Sequence, residues 1–331
     1  MTTTLRTDLP TLADTARRMT DAGRGILAAD ESIKTMSSRL EEEGIPSSPT
    51  ARRDYRELLI TADGLSDWVS GVIWCDETFG QELADGRPFP QAAHELGILP
   101  GIKVDTGTSK LPGGGGALVT EGLDGLGDRL ASYAERGAAF AKWRAVSDVA
   151  TITPYSARAN GHALARYAAL CQQHGIVPIV EPEVLCTGDH DLGASAQASN
   201  LALRTLFDEL AQAGVDLSGV VLKPNFVTPG LDAPAATART IAAATFGVLS
   251  ETVPEALAGI AFLSGGQPTG HVSESLRELH RLGDRAWPVT FSFGRALVSD
   301  ALSTWGGEAR NVPKAQQVLV DNCRRAGQAT R

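Results

Sequence analysis

Cysteine is scarce in this 331-residue sequence, and its four thiols are widely spaced. Cys75, Cys171, Cys186 and Cys323 match no Cys-x-x-Cys or zinc-ligand pattern. A disulfide framework is therefore excluded as the basis of the fold, and we expect reduced thiols in a cytoplasmic protein. A chain of this length can bury a hydrophobic core large enough to be stable without cross-links.

Basic residues and long apolar segments are also in short supply. Thirty Lys and Arg stand against 39 Asp and Glu, and the formal net charge is -9. This balance argues against a nucleic-acid partner, because such proteins need a basic face to displace phosphate counterions. No apolar run approaches the ~20 residues of a membrane span, and the N-terminus lacks the apolar segment of a signal peptide. We expect a cytoplasmic protein with no membrane partner.

Metal-binding patterns are missing as well. The six histidines form no His-x-His or His-Glu-x-x-His motif. Residues 188–191, Gly-Asp-His-Asp, are the one candidate, and we interpret them as a solvated loop because adjacent loop residues rarely converge on one ion. We therefore predict neither a metal nor a cofactor. Residues 113–116, four glycines, are interpreted as a flexible loop and not a phosphate cradle, because no strand is predicted to lead into them.

Eight short apolar runs dominate what the sequence does contain. Continuous apolar runs are typical of strands buried on both faces, as in a parallel sheet. The runs cover residues 25–29, 71–75, 101–104, 139–144, 177–181, 220–223, 260–264 and 289–293.

Segments with helical spacing of apolar residues lie between the runs. They cover residues 52–62, 123–136, 162–174, 197–213, 235–251 and 273–282, and Gly175 and Gly214 are predicted to end two of them. This alternation predicts an α/β fold, a (β/α)8 TIM barrel. We expect a single domain over residues 1–331, with a barrel core at about 23–307 and extra helices at 11–22 and 313–325. The alternative, an open doubly wound sheet, usually has a Gly-rich fingerprint after its first strand, and none follows here.

Three of the six lysines lie inside or at the end of apolar runs, namely Lys103, Lys142 and Lys223. A lysine in such a run either packs its stem and extends its amine to solvent, or is paired and functional. Three such lysines at strand ends favour function. In a barrel, all strand ends open on one face, where active sites of this fold are built. The same ends carry Asp30, Arg144, Glu181, Glu183 and Arg295.

Two groups of small and hydroxyl residues are candidates for phosphate binding. The last two strands are followed by Ser264, Gly265 and Gly266, and by Ser292, Gly294 and Arg295. Barrels often bind phosphate in these two loops, although the glycines are also explained by plain turns. Ser32 and Thr35 either cap the next helix or bind a second phosphate, with Arg39 one turn further on and Lys103 opposite.

A lysine-centred site without a metal favours Schiff-base chemistry on a phosphorylated small molecule. The lysine amine attacks a ketone, and the resulting iminium withdraws electrons so that a carbon–carbon bond breaks to give an enamine. Burial and a neighbouring cation favour the neutral amine that this attack needs. We expect Lys223 to be the nucleophile, Lys142 the neighbouring cation and Glu181 the group that moves protons.

The motifs that hold these residues resemble those of class I fructose-1,6-bisphosphate aldolases. They include GILAADES at 25–32, FAKWR at 140–144, EPE at 181–183, VLKPN at 221–225, FLSGGQ at 262–267 and FSFGRAL at 291–297. The resemblance extends over about residues 23–307. It implies metal-independent, reversible cleavage of fructose 1,6-bisphosphate to dihydroxyacetone phosphate and glyceraldehyde 3-phosphate, in glycolysis or gluconeogenesis, and a homotetramer.

The resemblance also assigns roles. It makes Lys223 the Schiff-base lysine, Glu181 the general acid and base with Glu183 as its companion, Asp30 the group near the C4 hydroxyl, and Lys142 the lysine that orients substrate hydroxyls. Ser264, Gly265, Gly266, Ser292, Gly294 and Arg295 match the C1-phosphate pocket. Ser32, Thr35, Arg39, Lys103 and Arg144 match positions around the C6-phosphate.

The sequence departs from the family pattern at three places. Ser38 replaces the lysine that precedes the arginine in animal members, and Phe293 replaces a common tyrosine. No tyrosine follows Tyr167, so the tail tyrosine that assists proton exchange in animal members has no counterpart. Preference for a bisphosphate over a monophosphate substrate therefore stays open, and so do two other functions: another sugar-phosphate aldolase or transaldolase, or an inactive binding scaffold.

Overall fold

A closed barrel of eight parallel strands forms the centre of the molecule. The computed structural model describes residues 10–265, 269–283 and 285–331. The strands, in chain order, are β1 Gly25–Ala29, β2 Val69–Trp74, β3 Leu99–Lys103, β4 Gly107–Lys110, β5 Leu118–Glu121, β6 Phe140–Ser147, β7 Val177–Val184, β8 Val221–Leu222, β9 Gly259–Phe262 and β10 Val289–Phe293. All except β4 and β5 belong to the barrel, in the order β1-β10-β9-β8-β7-β6-β3-β2. The predicted (β/α)8 fold is confirmed.

Helices connect the strands and cover the barrel. They are α1 Leu12–Met19, α2 Ile33–Glu42, α3 Pro49–Ile60, α4 Asp76–Phe79, α5 Phe89–Glu95, α6 Leu126–Glu135, α7 Pro154–Gln173, α8 Leu192–Gln212, α9 Ala238–Thr252, α10 Thr269–Arg281, α11 Arg295–Trp305 and α12 Val312–Gln328. The predicted terminal helices correspond to α1 and α12. Gly175 and Gly214 follow α7 and α8 with φ of +70° and +66°, the left-handed geometry expected of glycine beyond a helix end. In the described ranges, no helix is both long enough and apolar enough to cross a membrane.

The two ends of the barrel interior differ in chemistry, and this places the site. Ile26, Ile73, Phe140 and Ile179 belong to one apolar cluster that fills the interior. Gly101 faces the Phe140 ring, and a Cβ there would come within 2.2 Å of it. Because apolar side chains already close this part of the barrel, the charged side chains further along the strands open on the opposite, carboxyl end.

The segment of four glycines lies in a hairpin, so the expectation that no strand leads into it is wrong. β4 does lead into residues 113–116, and it pairs antiparallel with β5 from Gly107 opposite Glu121 to Lys110 opposite Leu118. Both strands are only four residues long, β4 is exposed throughout, and Thr120 is the one buried residue of β5. They therefore lack the apolar run on which the strand prediction depended. Gly113, Gly115 and Gly116 have positive φ, which explains the glycines as turn residues.

Candidate active site

One cavity at the carboxyl ends of the strands collects the predicted site residues. Its volume is about 950 Å³. Of the predicted residues, it is lined by Asp30, Ser32, Thr35, Arg39, Lys103, Lys142, Arg144, Glu181, Glu183, Lys223, Ser264, Gly265, Ser292, Gly294 and Arg295. Gly266 lies outside the described residues.

Two lysines and two carboxylates form a continuous chain at the bottom of this cavity. Glu181 bridges the lysines, with its Oε1 3.1 Å from Lys223 Nζ and its Oε2 3.2 Å from Lys142 Nζ. Lys142 Nζ is also 2.7 Å from Asp30 Oδ2. Lys142, Glu181 and Lys223 are all buried. Buried charges of this kind are stable only when paired, and here each one has an opposite charge beside it.

Strand alternation explains why these side chains converge. Lys142 and Arg144 lie two residues apart on β6 and both line the cavity, whereas Trp143 between them packs in the outer core. Glu181 and Glu183 repeat this pattern on β7, which pairs with β6 in parallel register from Phe140 to Ser147. Both pairs therefore face the cavity.

The electrostatics keep the Asp30–Lys142 pair charged. Burial raises the pKa of Asp30, but the charges of Lys142 and Lys223 outweigh it and hold that pKa below its ordinary value. Burial lowers the pKa of Lys142, yet Asp30 and Glu181 raise it above the ordinary lysine value. The pKa of Glu181 is lowered in the same way, because Lys142 and Lys223 outweigh its burial. Lys142 is therefore a permanent cation near neutral pH.

Two further ion pairs line the wall formed by β3, β6 and β7. Arg144 Nε is 2.5 Å from Glu183 Oε2. Lys103 Nζ is 2.6 Å from Asp105 Oδ1 and also donates to the Asp105 carbonyl at 2.7 Å. Asp105 was not among the predicted residues, because it falls in the loop beyond its strand. Its carboxylate holds Lys103 at the strand end.

The loops after β9 and β10 form a small polar pocket. α11 begins at Arg295, which lines the cavity, so the positive N-terminal end of the helix dipole lies at the cavity wall. Ser292 Oγ is buried and has no hydrogen-bond partner in the described part of the chain. A Cβ on Gly294 would lie 3.1 Å from the Ala28 carbonyl, which is a tight contact. Helix terminus, hydroxyl and guanidinium are together suited to phosphate.

On the wall formed by α2, capping of the helix does not exclude phosphate binding, because Ser32 and Thr35 both line the cavity. Ser32 does cap the helix, since its Oγ accepts from the Thr35 amide at 3.2 Å. Arg39 is ion-paired with Glu31, and the second Glu31 oxygen is 2.8 Å from the buried Arg56. Glu31 and Arg56 were missed by sequence reasoning, although Arg56 is a charged residue inside a predicted apolar helix.

Seven cations line the cavity, and they differ in their pairing. They are Lys34, Arg39, Lys103, Lys142, Arg144, Lys223 and Arg295. Five of these seven contact a carboxylate. The other two, Lys34 and Arg295, form no ion pair with any residue in 10–265, 269–283 or 285–331. Lys34 was not predicted as a site residue. These two cations are the ones with a full charge to offer an incoming anion.

Comparison with known proteins agrees with this geometry. Residues 11–331 match the family model described as fructose-bisphosphate aldolase class-I. The chain belongs to the class I fructose-bisphosphate aldolase family. It is 46% identical over 322 residues to a probable fructose-bisphosphate aldolase class 1 of Xanthomonas campestris, covering 96% of each chain. It is 44% identical over 311 residues to fructose-bisphosphate aldolase 6, cytosolic, of Arabidopsis thaliana, covering 93% of this chain and 87% of the relative.

A solved aldolase structure has the same fold. The fructose-bisphosphate aldolase of Plasmodium falciparum, solved in complex with TRAP and a small-molecule inhibitor, superposes with a TM-score of 0.94 at 41% identity. The superposition covers 96% of this chain and 93% of the Plasmodium chain. The resemblance stated from the motifs is thereby confirmed, and this aldolase-family chain is a lyase by membership.

Proposed function

We propose that this aldolase-family chain reversibly cleaves fructose 1,6-bisphosphate through a Schiff base on Lys223, without a metal. The observation that carries the proposal is the chain of contacts from Lys223 through Glu181 and Lys142 to Asp30. It places a nucleophilic amine, a proton carrier, a fixed cation and a second carboxylate along one side of a single cavity.

Each group then has a step. Glu181, 3.1 Å from Lys223 Nζ, takes a proton from the lysine ammonium, and the neutral amine attacks the C2 carbonyl to form a carbinolamine. Glu181 then returns that proton to the carbinolamine hydroxyl, which leaves as water and gives the iminium. Asp30 takes the proton of the C4 hydroxyl while the C3–C4 electron pair moves into the iminium. Glyceraldehyde 3-phosphate leaves with a new aldehyde. Protonation of the enamine at C3 and hydrolysis of the iminium release dihydroxyacetone phosphate.

In this proposal the two phosphates bind at different parts of the cavity wall. We assign the C1-phosphate to the pocket of Ser264, Gly265, Gly266, Ser292, Gly294 and Arg295. We assign the C6-phosphate to Ser32, Thr35 and Arg39 on the wall formed by α2, together with Lys103 and Arg144 on the wall formed by β3, β6 and β7. The latter three cations are held by carboxylates in this structure, so a phosphate there competes with Glu31, Asp105 and Glu183.

A coupled cleavage assay on fructose 1,6-bisphosphate, with and without EDTA, tests the function. Because no step uses a metal, we expect equal rates in both, together with a borohydride-stable adduct on the protein after incubation with substrate. Abolition of activity by the chelator, with no adduct, would contradict the Schiff-base assignment. Assays with fructose 1-phosphate and sedoheptulose phosphates separate this function from that of a transaldolase or another sugar-phosphate aldolase.

Lys34 is proposed to compensate for the missing lysine at position 38. The two positions are one helical turn apart on α2, and both line the cavity.

For Lys34→Ala we expect kcat/KM to fall about three- to tenfold for fructose 1,6-bisphosphate, because one charge-assisted phosphate contact is lost. Fructose 1-phosphate, which has no second phosphate, serves as the matched substrate and should be unaffected. Lys314→Ala, on the exposed face of α12, controls for loss of a surface charge. Equal effects on both substrates would count against the assignment.

The remaining organisation is also proposed. We infer one domain built on the barrel, because the terminal helix α12 packs on α3 and α11. We infer a homotetramer, as in the family, and a cytoplasmic location, supported by the cytosolic plant relative. Light scattering on the purified chain measures the assembly, and a monomer mass would refute the tetramer.

A further inference from the structure

Strand β8 precedes Lys223 directly, and its pairing with β7 ends at that residue. β8 pairs with β7 at Val221 and Leu222 only, and the Lys223 amide makes the last regular bond, to the Val180 carbonyl at 2.8 Å. The next bond of a parallel ladder would run from the amide of residue 182 to the Lys223 carbonyl. Residue 182 is proline and has no N–H, so the ladder stops here.

A side chain restores the connection two residues later. The Val184 amide would next donate to the main-chain carbonyl of residue 225, but it donates to the side-chain Oδ1 of Asn225 at 2.8 Å. The other end of this carboxamide is also held, since Asn225 Nδ2 donates to the Phe226 carbonyl at 2.9 Å. The Asn225 side chain therefore replaces the main-chain bond from Val184 to the residue 225 carbonyl and reconnects the two strands beyond the gap at Pro182.

Asn225 makes these contacts behind the cavity and not in it. It does not line the cavity that contains Lys223, and it borders two small voids of about 10 and 20 Å³, the second of which shares Leu263, Ser264 and Gly265 with the cavity wall. On the opposite flank, the Leu263 amide donates to the Pro224 carbonyl at 3.0 Å. The segment after Lys223 is thus attached on both sides, and the β7 side depends on one carboxamide.

We propose that Asn225 is a positioning residue that holds the Lys223 main chain in register with the strand carrying Glu181 and Glu183. The inference rests on the proposed Schiff-base function of Lys223. Proton transfer between Lys223 and Glu181 requires that their 3.1 Å separation be maintained through the reaction. A displacement of about 1 Å at such a site reduces the rate on the order of 10²-fold.

Two substitutions at position 225 test the role. Asn225→Leu keeps the shape and removes both hydrogen bonds, and we expect kcat to fall about 10- to 100-fold with KM within about threefold. The rate of borohydride trapping in a single turnover should fall in parallel. Asn225→Asp keeps the acceptor for the Val184 amide, and we expect it to recover kcat to within about fivefold of the parent.

Asn160 offers a matched control for a merely structural effect. Its Oδ1 accepts from the Thr120 amide at 3.3 Å and its Nδ2 donates to the Leu118 carbonyl at 3.0 Å, so it makes the same pair of bonds away from Lys223. We expect Asn160→Leu to lower the melting temperature without the loss of kcat.

Three results would overturn the positioning role: Asn225→Leu with kcat near the parent value, Asn225→Asp no better than Asn225→Leu, or an equal loss of kcat in Asn160→Leu. A parent protein that neither cleaves substrate nor forms the adduct would instead refute the proposed function.

Discussion

Replacing Lys223 by methionine is expected to abolish cleavage of fructose 1,6-bisphosphate, with a loss on the order of 10⁴ or more in kcat. The methionine preserves the apolar stem that packs in the barrel but has no amine to bond the C2 carbon. Without that bond there is no iminium to accept the electrons of the C3–C4 bond. The measurement is a coupled assay, combined with peptide mapping of the borohydride adduct, which should lie on Lys223 in the parent and be absent from the variant.

The control for this variant is a lysine of no proposed function. Lys314 lies exposed on α12, and Lys314→Met should cleave at the parent rate and form the adduct normally. Circular dichroism establishes that Lys223→Met is folded. An adduct that maps to Lys142 or Lys103 in the parent would assign the nucleophile to another strand, and a Lys223→Met protein that still cleaves would refute the mechanism.

Glu181→Gln is expected to lower kcat by about 10²- to 10³-fold, because one positioned acid–base group contributes on that scale. Glutamine keeps the shape, and its amide oxygen can still accept from one of the two lysines, but it neither takes up nor delivers a proton. Formation of the iminium should become slow, so the borohydride adduct should accumulate more slowly than in the parent. Stopped-flow trapping at a series of times measures this step apart from product release.

The control for Glu181→Gln is the same substitution at another ion-paired glutamate, Glu209. Glu209 on α8 is paired with His162 at 3.0 Å and with Arg158, away from the cavity. Glu209→Gln should lose some stability and retain full activity. If Glu181→Gln trapped substrate at the parent rate, another group would be the proton carrier in iminium formation, and Glu183 in the same wall would be the next to test.

Most residues of the site could be named from the sequence, but their contacts with one another could not be predicted. Lys142 and Glu181 were recognisable because charged residues inside apolar runs are costly to bury without a partner. Asp105 and Glu31 were missed because each lies in or beside a loop, where a carboxylate is usually solvated. Lys103 was predicted to face a phosphate, and no local pattern indicated that Asp105 would be its partner in this structure.

The sequence by itself determined two things: the barrel fold, and the end of the barrel at which the site lies. Apolar runs, helical spacing and strand alternation are local properties, and they are enough to predict which side chains point inward at the carboxyl ends of the strands. Only the tertiary structure decided which residues form pairs. Glu181 lies between two lysines, Glu31 lies between two arginines, and the Asn225 side chain takes the place of its own main-chain carbonyl as the acceptor for the Val184 amide. These contacts join residues from different strands and helices, and their distances follow from barrel closure and strand register, which no local pattern specifies.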